Sequence, residues 1–277
     1  MRGRGSRYRA ALAAVAVIGS AVSAQPAGRA GYVGLGEFDV TPLIEPAPSP
    51  GDPRYEADRA IFRATRAWAG SERYALATRD VETGPAAMLR IFSCAIGVAL
   101  TPDNVPRLAA VAHRAALDTG AQVGRAKELF RHQRPYVIDP GPTCQAPAEL
   151  LDPREDRASY DYPSGHSAWG WTWALVLAGA APDRAQHVLE RGRAYGNSRV
   201  VCGVHNASAV EAGMLAASAT MAAIQTTAAY QADLADARQE LDAVRHGASD
   251  PPAHCETEAR LVAQPVLAPV SAAPSPP

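Results

Sequence analysis

The stretch that most limits how this chain can fold is Ala168-Trp169-Gly170-Trp171-Thr172-Trp173-Ala174-Leu175-Val176-Leu177, an apolar run holding three of the four tryptophans. It reads as a buried helix around which the rest of the chain is organised. Entry is through Tyr162-Pro163-Ser164-Gly165-His166. Pro163 fixes the approach, Ser164 brings a hydroxyl, and Gly165 an unobstructed backbone N–H. A helix N-terminus carries unpaired N–H groups and the positive end of the dipole, so an anion is favoured there, with His166 close enough to exchange a proton with it.

No stretch shows the alternation of a strand, and the pattern predicts an all-α fold with a single helical domain over residues 54–246. Tyr55 to Trp68 repeat at a helical period that Gly70 or Ser71 ends. Pro85 opens an apolar helix through Val98, and Thr101-Pro102 starts a long one that runs toward Phe130. Residues 136–163 read as a long loop. Pro182-Asp183 starts a helix through Tyr195, a small-residue helix extends to about Tyr230, and an amphipathic piece covers Leu234 to Val244. Residues 25–53 form a Pro/Gly-rich arm, lying over the domain or acting as a loose linker. Residues 247–277, rich in Pro and Ala, have little to bury and are expected to be disordered.

The first 24 residues place four arginines before an apolar segment and end in Ser23-Ala24, the order of a secretory signal peptide cleaved after Ala24. Its apolar part is too short to span a bilayer, and no membrane-spanning run follows. Export to the periplasm or beyond takes the formal charge from −1 down by four units to −5, which argues against nucleic acid as a partner. Cys94, Cys144, Cys202 and Cys255 then meet an oxidising compartment where pairing is expected, with all three connectivities open. They are far apart and no His-x-x-x-His occurs, so neither a metal site nor a cofactor is expected. A homo-oligomer stays open.

Of the 27 basic residues only Lys127 is a lysine, which marks it for a role needing a compact ammonium. Arg134 follows seven residues later, two turns on and so on the same face if the helix persists to Pro135. Further on stand Ser198-Arg199 and His205. The ordered pattern Lys-x6-Arg-Pro, Pro-Ser-Gly-His and Ser-Arg-x5-His resembles the signature of the type 2 phosphatidic acid phosphatase superfamily, which also contains the vanadium haloperoxidases. With the leader and the words Tyr-Pro-Ser-Gly-His and Ser-Arg-Val-Val-Cys-Gly-Val-His, the chain resembles the class A bacterial non-specific acid phosphatases, from about Ala57 to Arg245.

That resemblance implies a metal-independent acid phosphatase acting on small-molecule phosphate monoesters. Lys127, Arg134, Ser164, Gly165 and Arg199 would hold the phosphate, His205 would become phosphorylated, and His166 would protonate the leaving alcohol. Three cations, a hydroxyl and a backbone N–H suit a group whose charge spreads over three oxygens during transfer.

One position departs from the pattern. The family places an Asp four residues after the nucleophilic histidine to orient its ring, and here that position is Ala209. Two alternatives therefore stand beside the phosphatase: a vanadium-dependent haloperoxidase using the same cradle, and a phosphoester-binding protein impaired in catalysis. On this reading Ala209→Asp should raise kcat, unless another carboxylate orients His205. His113, His132, His187 and His254 have no partner legible in the sequence and read as ordinary histidines.

Overall fold

A computed structural model describes residues 31–151, 159–247 and 252–267; the expected leader and its cleavage site lie outside the described residues. The chain forms α1 (Pro53–Thr65), α2 (Glu72–Arg79), α3 (Pro85–Ile96), α4 (Pro106–Phe130), the single turn α5 (Pro135–Ile138), α6 (Gly165–Ala180), α7 (Ala185–Val201), α8 (Ala207–Ile224), α9 (Ala228–His246) and α10 (Cys255–Val262). No strand occurs among the described residues, as the all-α reading requires.

The Trp-rich run is α6, and it is apolar on every side because α4, α7, α8 and α9 all pack on it. Trp173, Val176 and Leu177 are fully buried, and each aliphatic side chain of this kind contributes about 1.5–3 kcal/mol. Helices approach α6 closely where glycine allows it. A Cβ on Gly170 would fall 2.1 Å from the Tyr195 ring of α7, and one on Gly213 of α8 would fall 2.4 Å from the Ser164 carbonyl. Both contacts bring functional groups to the N-terminal end of α6. Helix α8 is long and apolar enough to cross a membrane, but in this fold it packs against α4 and α6.

Several boundaries differ from the sequence reading. Thr101-Pro102 does not start α4: Thr101 and Asn104 exchange side-chain to backbone hydrogen bonds in a turn, and Pro106 takes the first helical position instead. Helix α2 is an unanticipated element, capped by the Ser71 side chain on the Tyr74 N–H. Thr227 caps α9 in the same way, so Tyr230 begins that helix rather than ending α8.

From residue 31 the N-terminal arm lies over the domain, one of its two readings, and residues 252–267 are more ordered than expected. Residues from Gly31 run along α4, where Asp118 accepts from the Tyr32 and Val33 N–H groups and Gln122 bonds Phe38 and Val40. The expectation of a disordered tail is corrected over residues 252–267. Here α10 is tied to α3 by the Cys94–Cys255 disulfide, Leu261 and Val266 are buried, and Glu258 pairs with Arg191. One cross-link and two anchoring apolar side chains supply what a Pro/Ala composition does not reveal. The second disulfide, Cys144–Cys202, fastens the loop after α5 to the end of α7.

Candidate active site

Four segments meet at the N-terminal end of α6: the exit of α4, residues 159–163, the last turn of α7, and the turn that leads into α8. Ser164 is the N-cap of α6. Its oxygen accepts from the Ser167 N–H (3.3 Å) and hydroxyl (2.9 Å), which leaves its own O–H to donate elsewhere. Gly165 occupies the first helical position, where backbone donors lack an intrahelical acceptor. The Tyr162–Pro163 peptide that leads in is cis.

Lys127 and Arg134 do converge, but not along one helix. Arg131, at φ 48°, takes the left-handed conformation and ends α4, and Arg134 lies beyond it as the N-cap of α5. Residues 159–161 bring the two cations together: Lys127 Nζ donates to the Tyr160 and Asp161 carbonyls, and Arg134 Nε and Nη2 to the Ser159 carbonyl and hydroxyl (both 2.7 Å). Burial, followed by the charge of Arg134, brings the Lys127 ammonium down to about 7.

Arg199, on the last turn of α7, is 2 % exposed. One terminal nitrogen donates to Gln145 Oε1 (2.7 Å), a residue held in place by the adjoining Cys144–Cys202 bond, while Nε and Nη1 have no partner. Burying an Arg with two unsatisfied nitrogens costs several kcal/mol unless an anion completes it, on the order of the penalty for a buried unpaired charge. Arg199 thus reads as one half of an anion site.

His205 is buried (3 % exposed) and precedes the N-cap of α8, Asn206, so it does not share a helix with Ala209 as the spacing suggested. Its Nδ1 lies 2.7 Å from Asp161 Oδ1 and its Nε2 lies 3.1 Å from Arg134 Nη1. A carboxylate accepts and a guanidinium only donates. The ring is therefore neutral, with its hydrogen on Nδ1 and its lone pair on Nε2.

His166 has the opposite assignment. Its Nε2 faces the Asp80 carbonyl at 2.7 Å, so the hydrogen sits there and Nδ1 is the atom free to take or release a proton. The Tyr195 hydroxyl, which donates to the Glu82 carbonyl (3.0 Å), lies 2.8 Å from the same Nε2, with the two rings nearly parallel. Asp80 is itself held by Arg191 (2.5 and 3.2 Å) and by the Ser198 hydroxyl (2.6 Å).

A sequence pattern described as the PAP2 superfamily matches residues 108–232. The chain is 38% identical over 220 residues to the acid phosphatase of Zymomonas mobilis subsp. mobilis, an alignment covering 77% of this chain and 80% of that protein. It is 34% identical over 200 residues to the non-specific acid phosphatase of Salmonella typhimurium, with 72% and 78% covered. A third relative, the non-specific acid phosphatase of Providencia stuartii, is 30% identical over 204 residues, with 73% and 81% covered. The chain belongs to the non-specific acid phosphatases of the PAP2 superfamily.

Within this acid phosphatase, Lys127, Arg134, Ser164, Gly165, His166, Arg199 and His205 all fall in one region. Arg199 and Arg134 act on His166 through their charges, and the Lys127 side chain lies 3.8 Å from where a Cβ on Gly165 would stand. Burial, then the neighbouring arginines, push both His166 and His205 well below the usual histidine range.

Three residues of the site were missed in the sequence: Asp161, His132 and Gln145. Asp161, rather than a residue at position 209, supplies the carboxylate in contact with the His205 ring. It bonds the His205 ring, and it also accepts from the N–H (3.3 Å) and side-chain nitrogen (2.8 Å) of Asn206, the N–H that a carboxylate at the third helical position would otherwise cap. The Ser208 N–H and hydroxyl, next to position 209, both donate to Asp58. The available signal was adjacency: an Asp directly before Tyr162 in the Pro-Ser-Gly-His segment.

Proposed function

We propose that this protein hydrolyses phosphate monoesters through a phosphohistidine on His205 Nε2, without a metal. The observation that carries this is the locked tautomer, in which Asp161 holds Nδ1–H and the Nε2 lone pair is left toward the cationic cradle. The phosphoryl group is held by Arg199, Lys127, the Ser164 hydroxyl and the Gly165 N–H. Arg134 has four of its five N–H groups engaged by Ser159, Val204 and His205, so it contributes charge and one remaining donor.

Nε2 attacks phosphorus as the P–O bond to the alcohol breaks, and Nδ1–H of protonated His166 transfers its proton to the leaving oxygen. Water then attacks the phosphohistidine, His166 takes a proton from that water, and the P–N bond breaks to release phosphate. His166 must be charged in the first step although its environment favours the neutral form, so the reaction belongs to acidic pH, with the bound phosphate dianion helping to offset the cations. The reading of an impaired binding protein rested on Ala209, and the Asp161 contact removes that reason.

Rapid acid-free quenching of enzyme mixed with a ³²P-labelled phosphate monoester and chelator is expected to trap a base-stable, acid-labile label on the peptide carrying His205. No label, a label on another residue, or a label that requires a divalent ion would overturn the proposal. Export is proposed on the Arg-rich apolar start and supported by two disulfides joining all four cysteines. Mass spectrometry of the mature protein should find Gln25 first; a chain starting at Met1 would exclude cleavage.

A further inference from the structure

We propose that His132 is a positioning residue of this site, a second histidine that shares the Asp161 carboxylate with His205 and so weakens the pull of that carboxylate on the nucleophile's proton. The inference rests on the reading of His205 as the nucleophile.

Asp161 is fully buried and stands between two imidazoles. Its Oδ1 faces His205 Nδ1 at 2.7 Å, and its Oδ2 faces His132 Nδ1 at 3.2 Å. His132 grips Asp161 a second time, since its backbone carbonyl accepts the Asp161 N–H at 2.8 Å. The residue sits just after the left-handed Arg131, so the break in α4 is what turns it toward the site.

Hydrogen-bond chemistry places the proton. His132 Nδ1 faces the Asp161 carboxylate, an acceptor, so this nitrogen carries a hydrogen and the imidazolium form is favoured by the adjoining negative charge. His205 has an acceptor at Nδ1 and the donor-only Arg134 at Nε2, which only the neutral ring satisfies. The charged and titratable groups facing His132 are Asp161, from residues 159–162, and Asp58, from α1; the Tyr162 ring meets it edge-on. Burial would lower the proton affinity of His132, but the hydrogen bond and charge of Asp161, with Asp58 behind it, raise it above the usual histidine value. Those facing His205 are Asp161, Arg134 and Lys127, and there burial and Arg134 prevail.

The consequence is specific to an enzyme working in acid. A carboxylate with no other partner would raise the pKa of the histidine it orients, and a protonated His205 has no lone pair. With His132 cationic on its second oxygen, Asp161 orients His205 while pulling less strongly on its proton.

The test is kcat/KM for a chromogenic phosphate monoester from pH 4 to 8, comparing the wild-type enzyme with His132→Gln, which keeps a donor to Asp161 but removes the charge. The expected result is an acid limb displaced to higher pH by about one unit, with the phosphoenzyme still forming near neutrality. An acid limb that stays in place, or a loss by the same factor at every pH, would make His132 structural and overturn the proposal. Should His132→Gln fail to fold, ¹⁵N-histidine titration of the wild-type enzyme decides: His132 must stay cationic at a pH where His205 is neutral, and the reverse order overturns it. A wild-type enzyme that turns over with no label on His205 would instead defeat the phosphohistidine reading itself.

Discussion

Replacement of His205 by alanine is expected to lower kcat by about 10⁴-fold or more, because the covalent route through Nε2 disappears and water must attack the ester directly. The cradle of Lys127, Ser164, Gly165 and Arg199 makes no hydrogen bond to the imidazole, so inhibition by inorganic phosphate should change far less than the rate. The vacated space lies between Asp161 and Arg134, which now face each other across it. Added imidazole should enter there and restore part of the turnover. Retention of more than about a hundredth of the wild-type kcat would mean that another group takes the phosphoryl and that the assignment of His205 is wrong.

The second large effect is at Asp161. Asp161→Ala removes the acceptor for His205 Nδ1–H, frees the ring to present the wrong nitrogen, and leaves His132 and the Asn206 N–H without their partner. A loss of about 10²–10⁴-fold in kcat is expected, the range for an orienting carboxylate beside a catalytic histidine. Ala209→Asp separates the two ways of supplying that carboxylate. In the wild-type background it should lower activity, since Ala209 is 0 % exposed and a second carboxylate would be buried beside the first. In the Asp161→Ala background it should recover at least about tenfold, because an Asp at the third position of α8 can reach back over the Asn206 N–H toward His205. If Asp161→Ala keeps the full rate, or Ala209→Asp alone raises it, Asp161 is not the orienting group.

The comparison of these two positions shows where reading a sequence by spacing fails. The four-position step from His205 to Ala209 suggested one helical turn, yet α8 begins only at Ala207 and the histidine sits in the preceding turn. A function that needs a carboxylate at a point in space can draw it from any segment passing that point, and Asp161 does so across 44 residues of chain.

From the sequence alone came the all-α class, the buried helix behind Pro163-Ser164-Gly165, and the group Lys127, Arg134, His166, Arg199 and His205. The first two follow from local causes, periodicity and capping, while the group of site residues came from the resemblance of their ordered spacing to the family's pattern. Tertiary structure decided the rest. That Lys127 and Arg134 meet through residues 159–161, that His132 and His205 share one carboxylate, and that residues 252–267 are held by Cys255 all depend on contacts between segments distant in the chain. Periodicity reports which face of an element is buried and carries no record of what that face, or a loop side chain such as Asp161, is buried against.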